Sequence, residues 1–361
     1  MRRLSDGILP VEPRHIQVKN EHPVPEVRKM ENSTVFLRKV VKGDPSSVEA
    51  RLRECFDFEA LVPAGSKVAV KVNLSTPFGE NAEGSNTAPE ILEAVCRILS
   101  ERTDQIVVGE SNGMRYNTLE AFEVSGYVPI LKKFGISPTN FTEDEWVDVG
   151  EPLIKGWGLP RKLLEADVFV TLPVLKTHAT TVFTGALKNQ FGCYPQHNRI
   201  LLHPHLDEVI VLINRVLKPR LAVMDAIVGM EGRGPINGVP RRMDMIVAST
   251  DPVALDSTAM RLVGLDPYTS EHVVLASKQG LGAIDEAGIF VDGDFEGLRT
   301  QFEPAEKDFP IRLLGYISHS KFLTEKLILN PEAFYPLRRV AVNFRSVRDH
   351  ILGLFQAKRA S

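Results

Sequence analysis

The sequence predicts an α/β protein: a parallel or mixed sheet covered by helices on both faces, followed by a basic helical C-terminal extension. Three observations predict it. Short β-rich runs alternate with helical patterns from Thr34 to Val174, the order expected of right-handed βαβ units. The 361 residues, 43% hydrophobic and 25% charged, suffice to bury a large core without disulfide or metal staples. From Phe309 onward the character changes, and apolar residues recur at helical spacing among arginines and lysines.

Taken in order, residues 1–32 are polar, are punctuated by prolines, and read as an irregular surface arm. Thr34–Val41 is β-rich, and Ser46 or Ser47 is placed to cap a helix running to about Leu61. Lys67–Leu74 alternates as a strand. After a polar loop, Thr87 is placed to cap a helix from Ala88 to about Ser100, with Pro89 and Glu90 in its first turn. Gln105–Gly109 is the next strand and Thr118–Ser125 the next helix. An apolar strand, Asp167–Val174, runs into Lys176, Thr177 and His178. Pro204–Leu217 reads as a helix that His203 can cap. Arg220–Asp225 and Met243–Ser249 are strands. Asp251 caps a helix with Pro252 at its first position. Ser270–Gln279 is helical, and Ile289–Val291 is a short strand. The chain divides into the arm (1–32), one α/β unit (33–308) and a helical extension (309–361). In the extension Val340, Phe344, Val347, Ile351 and Leu354 form an apolar stripe beside Arg338, Arg339, Arg345, Arg348, Lys358 and Arg359. Docking of that stripe on the α/β body competes with membrane or protein docking.

A net charge of −3 gives no global drive towards nucleic acid or membrane, and no basic patch with interleaved aromatics marks a nucleic-acid binder. Cys55, Cys96 and Cys193 are too scattered for a disulfide framework or a cysteine-ligated cluster, so an iron–sulfur centre is not expected and a reducing cytoplasm fits. The first residues lack the apolar run of a signal peptide, and no window has the roughly 18 apolar residues of a membrane span.

The chemistry concentrates at inferred strand ends, where open α/β sheets bind ligands. Lys71 and Asn73 alternate on one face of their strand, and a lysine between Val70 and Val72 needs an anionic partner or a route to solvent. Lys176 and His178 repeat that spacing. Thr177, Thr180, Thr181 and Thr184 add hydroxyls, and Lys188 and Asn189 follow between Gly185 and Gly192. Two lysines about 4 Å apart repel by roughly 4 kcal/mol at an effective dielectric of 20, so an anion or carboxylates must balance them. Lys71, Asn73, Lys176, Thr177, Lys188 and Asn189 are the candidate ligand-binding set. His178, Asp225 and Glu231 are the candidate proton-transfer groups, although the two carboxylates can instead serve as lysine partners. His197, His203 and His205 form a second cluster. With Asp225, His203 and His205 are candidate ligands for a divalent metal, and the alternative is that they line a loop. Asp251 is better explained as a helix cap than as a catalytic group, and Asp256 can face either way.

At these residues the chain resembles the domain of unknown function 362 family. The matching pattern runs Lys71-x-Asn73, Leu175-Lys176-Thr177-His178, Thr184-Gly185-Ala186-Leu187-Lys188-Asn189, His203, Asp225-Ala226, Glu231-Gly232-x-Gly234-Pro235 and Asp251-Pro252-Val253-Ala254-Leu255-Asp256. The family has no single assigned reaction. Many members carry ferredoxin-type cysteines, which this sequence lacks, so the resemblance does not extend to cluster binding. A fainter likeness joins Ser75-Thr76-Pro77 and the histidines to the lactate racemase nickel-pincer family, as analogy only.

The resulting expectation is an enzyme that acts on a small anionic metabolite, a carboxylate or phosphate, by acid–base or metal-assisted chemistry. The competing expectation is a binding or scaffold protein whose basic C-terminal helix docks a partner or a membrane. Self-association is compatible with both.

Overall fold

The computed structural model describes residues 33–76, 83–113, 116–196, 198–305 and most of 309–340. The arm, His197 and the extension beyond Val340 lie outside the described residues. The strands are β1 (Ser33–Lys39), β2 (Val68–Val72), β3 (Ile106–Glu110), β4 (Pro138–Asn140), β5 (Trp146–Asp148), β6 (Gly158–Pro160), β7 (Val168–Leu172), β8 (Val174–His178), β9 (Val182–Thr184), β10 (Leu221–Glu231), β11 (Val239–Ser249) and β12 (Ile289–Asp292). The main sheet has the order β12-β1-β11-β10-β7-β2-β3-β4, with β8 and β9 attached to β10, while β5 and β6 form a separate pair. Within the main order only β11 runs against its neighbours, so the sheet is mixed, as expected.

Period-two side-chain alternation divides the interior into two cores, one on each face. Val68, Val70, Val168, Val170, Leu221 and Val223 enter one core; Ala69, Phe169, Ala222 and Met224 enter the other. The first core is closed by the helix Pro89–Ser100, which buries Ile91, Leu92, Val95, Ile98 and Leu99. Each such side chain contributes about 1.5–3 kcal/mol. The second core is closed by the helices Leu206–Leu217 and Pro252–Leu262. Helices therefore cover both faces.

Several boundaries differ from the sequence expectation. The single helix expected up to Leu61 is two: Pro45–Cys55, capped by Asp44, and Phe58–Leu61, capped by Asp57. Both aspartates outcompete the serines because they accept from amides two or three residues ahead. Thr87 does not cap the next helix; its hydroxyl donates to the Leu172 carbonyl at 2.7 Å and accepts from Asn73 N at 2.9 Å. The helix expected at Pro204 begins at Leu206, after a 3-10 turn over Arg199–His205, and His203 caps nothing. Asp251 does cap Pro252–Leu262, accepting from Val253 N and Ala254 N.

Candidate functional site

Pro173 decides where the first lysine loop sits. It has no N–H to give, so β7 ends at Leu172, while its carbonyl accepts from Asp225 N at 2.8 Å. The chain then resumes as β8 alongside the second half of β10, with Val174 opposite Asp225 and Lys176 opposite Met230. Lys176 and His178 thus lie on a strand rather than just past one, and β9 folds back so that Thr184 faces Lys176. Val182 closes this hairpin with φ 67°, a strained conformation for a β-branched residue.

Lys71 and Asn73 do share a face, and both reach the Oδ1 of Asn189, at 3.4 and 3.0 Å. The Lys71 ammonium also donates to the Val72 carbonyl at 2.7 Å and to Glu110 at 2.5 Å, in an ion pair whose side chains are 1% and 6% exposed. Glu110 ends β3 as Lys71 nears the end of β2, and it is the carboxylate the sequence reading missed. The missed signal was its position: the last residue of a parallel strand next to the lysine strand. Gly192 makes this pair possible, since a Cβ there would lie 2.6 Å from Glu110 Oε1 and 2.9 Å from Lys71 Nζ.

Lys176 is fully buried and has no carboxylate partner. Its Nζ donates to Asn73 Oδ1 at 3.0 Å, Ser75 Oγ at 2.9 Å and the Ser85 carbonyl at 2.8 Å. Burial, then the charges of Lys188 and Lys71, lower its pKa to about 7. The Ser85–Thr87 loop that supplies one of these oxygens is itself clamped. Asn86 Oδ1 accepts from Ser75 N and Thr76 N, the Tyr127 hydroxyl donates to the Thr87 carbonyl, and Ala88 N donates to Asp225.

Lys188 and Asn189 occupy the short helix Ala186–Asn189, positioned from a distant element. Asp256, fully buried, accepts from Ala186 N at 2.6 Å and Leu187 N at 3.0 Å. Gly185 leaves room for that carboxylate, because a Cβ would stand 2.0 Å from its Oδ1. Asp256 thus faces inward as an anchor, and burial raises its pKa to about 7 against the pull of the two amides.

Lys188 is half-buried and, among the described residues, makes no hydrogen bond or ion pair. Burial and the Arg199 charge lower its pKa to about 8, with Asp207 opposing them. Its charge acts in turn on His178, His203 and His272, all of which burial holds below the usual histidine range; His203 falls to about 4. His178 Nδ1 accepts from Thr180 N at 3.0 Å and Thr181 N at 3.3 Å, which assigns the ring proton to Nε2 and makes the neutral ring a donor there. His272, absent from the sequence reading, is fully buried, with Nδ1 3.4 Å from Asp207 and Nε2 without a partner. The buried Thr184 hydroxyl also lacks a partner.

The remaining candidates are not brought to the lysines in the expected roles. Thr177 Oγ1 donates to the Gly232 carbonyl at 3.0 Å and fixes the β10–β11 hairpin. Asp225 accepts from Ala88 N at 2.7 Å and Ile227 N at 2.9 Å; burial raises its pKa to about 7, and its oxygens are committed to backbone amides. Glu231 accepts from Glu303 N at 3.1 Å and lies 3.5 Å from Arg241, so it tethers the 301–303 segment. The expected metal set fails as well. His205 is exposed, Asp225 is occupied, and among the described residues no three His, Cys, Asp or Glu side chains are placed to hold a metal. The 3-10 turn leaves His205 exposed and His203 partly buried, and Asp225 is held by the amides of Ala88 and Ile227. A cavity of about 610 Å³ opens elsewhere, beside Arg261, Leu265, Ile289 and Phe295, away from these charges.

A family model described as Domain of unknown function (DUF362) matches residues 68–261. The chain belongs to that family. The DUF362 match spans Lys71, Glu110, Lys176, Lys188, Asn189 and Asp256, and ends before His272 and the C-terminal extension. A thylakoid-associated protein of Synechocystis sp. is 29% identical over 227 residues, covering 61% of this chain and 70% of the relative. Among solved structures, the lactate racemase apoprotein of Thermoanaerobacterium thermosaccharolyticum aligns with TM-score 0.44 at 12% identity, over 64% of this chain. A Thermotoga maritima protein aligns with TM-score 0.33 at 15% identity, over 66% of this chain. The alignments span 57% and 60% of those two structures' own lengths. No helix among the described residues is long and apolar enough to cross a membrane.

Proposed function

We propose that this DUF362 protein is an enzyme that binds a small anionic metabolite, a carboxylate or phosphate, and moves a proton with Lys176. The single observation that carries the reading is Lys176 itself, fully buried within β8 with three neutral oxygens and no carboxylate on its ammonium. A purely structural lysine in such a place gains a charged partner, as Lys71 gains Glu110. Lys176 instead has a pKa near 7, where an amine serves as a general base.

The other groups then take distinct roles. Lys188, unpartnered among His178, His203 and His272, holds the anion, and the Nε2–H of His178 donates to it as a neutral group. Asn73 and Asn189, locked by the Lys71–Glu110 pair, fix the Lys176 amine. The bound substrate takes the place of Ser75 Oγ on Lys176, and its acidic proton passes to the neutral amine. Three isolated thiols, Cys55, Cys96 and Cys193, accord with a cytoplasmic setting.

The test is calorimetric titration with phosphate and with malonate, followed by solvent-deuterium wash-in at a carbon acid of any carboxylate that binds. Binding is expected in the wild type and should weaken at least about tenfold in Lys188→Met, a loss of about 1.4 kcal/mol. Wash-in should increase as pH rises through about 7, where Lys176 becomes neutral, and vanish in Lys176→Met with binding retained. Unchanged binding in Lys188→Met, or wash-in undiminished in Lys176→Met, would refute the assignment.

A further inference from the structure

Outside the site, one surface stands out. Of twelve exposed large apolar side chains among the described residues, five fall between Leu313 and Val340. Tyr316 is 75% exposed, Phe322 66% and Val340 67%, and Leu313 and Leu337 accompany them. Scattered exposed apolar residues need no explanation, whereas a concentration in one short stretch does. Leu313 and Tyr316 stand three apart on the helix Phe309–Ser318 and so share a face. Part of the stretch is held in place. Thr324 and Ile328 are buried, Thr324 Oγ1 donates to the Ile317 carbonyl at 3.1 Å, and the helix rests on the Arg199–His205 turn. The exposed side chains are therefore carried by a segment whose first helix rests on the body.

Charge indicates what covers them. Residues 309–361 hold nine lysines and arginines against three acidic residues, in a chain whose total is −3, so the rest of the molecule is acidic. Lys326 and Arg339 are exposed within the described part of that stretch. An anionic bilayer repels the net acidic body and attracts this basic, aromatic stretch, which favours an approach through that stretch. Tyrosine and phenylalanine at its exposed positions suit the boundary between headgroups and acyl chains. We infer that residues 309–340 form a peripheral docking surface for anionic lipid membranes. The surface lies in the plane of the bilayer and does not cross it. Because the helix rests on the turn that carries His203, docking sets the candidate site beside the membrane surface.

The experiment is flotation of the full chain with vesicles of phosphatidylcholine alone and of phosphatidylcholine containing about one-third phosphatidylglycerol. Binding is expected to the anionic vesicles only, and it should disappear near 1 M salt, where the Debye length is about 3 Å. The double variant Tyr316→Ser/Phe322→Ser should lower the bound fraction about tenfold, with an unchanged circular dichroism melt. Tyr268→Ser, which removes an aromatic 52% exposed elsewhere on the body, should leave binding intact. Absence of binding, equal binding to both vesicles, or binding unchanged in the double variant would overturn the inference. So would self-association in sedimentation velocity that the double variant abolishes while no vesicle binds, since the surface would then pair with a second copy of this chain.

Discussion

The contrast between two buried lysines organises the site at the scale of single residues. Lys71 meets Glu110 at 2.5 Å and is neutralised, whereas Lys176 meets only oxygens that carry no charge. A buried ion pair contributes little net stability, but removing one partner strands the other and costs about 3–5 kcal/mol. Glu110→Ala is therefore expected to lower the melting temperature sharply, and the double variant Lys71→Met/Glu110→Leu to recover much of the loss. Calorimetry checks this; a Glu110→Ala protein as stable as wild type would show that the pair is not a structural lock. Sequence alone singled out Lys71, because a lysine flanked by Val70 and Val72 in a strand needs an anionic partner or a route to solvent. It did not supply Glu110, because strand adjacency is a property of the sheet order and not of spacing along the chain. Asp225 and Glu231 were over-read for a related reason. A carboxylate at a strand end looks free until the backbone amides that claim it, those of Ala88, Ile227 and Glu303, are located.

At the scale of elements, the site depends on two local devices. Pro173 ends one strand and lets β8 begin beside β10, which carries Lys176 past the edge of the first parallel strands. The four-residue helix Ala186–Asn189 is too short to be stable alone, and Asp256 anchors its first amides from another helix. Gly185→Ala should push Asp256 off those amides, lower the melting temperature by several degrees and weaken anion binding through displacement of Lys188. A thermal scan with the same titration decides it, and an unchanged melt with unchanged binding would remove the anchor from the account. The strands were legible because alternation and apolar runs dictate them, and the Asp251 cap because its residues are contiguous. The 3-10 turn before Leu206 was not legible, since His203-Pro204-His205 satisfies the pattern of a helix start equally well, and with it went the metal set expected there.

For the molecule as a whole, the mixed sheet with a helical layer on each face was readable from the β-rich and helical alternation, whereas the placement of Lys176 within β8 and of Lys188 in a short helix was not. The antiparallel β11 was not readable, because the direction of Met243–Ser249 relative to its neighbours is set by sheet pairing and not by spacing along the chain. The proposed membrane docking belongs to this scale as well, because it rests on the contrast between an acidic body and a basic extension in one sequence. The central claim is that a neutral amine is available at Lys176 near pH 7. Burial lowers its folded pKa from 10.5 to about 7, so its contribution to stability rises with pH across that window and is lost as pH falls through 7. The direct measurement is a carbon-13 lysine titration of the folded protein, with the Lys176 resonance assigned by its absence in Lys176→Met. The account predicts a midpoint near 7 for that resonance. A Lys176 resonance still fully cationic at about pH 9, close to an ordinary lysine, would contradict it.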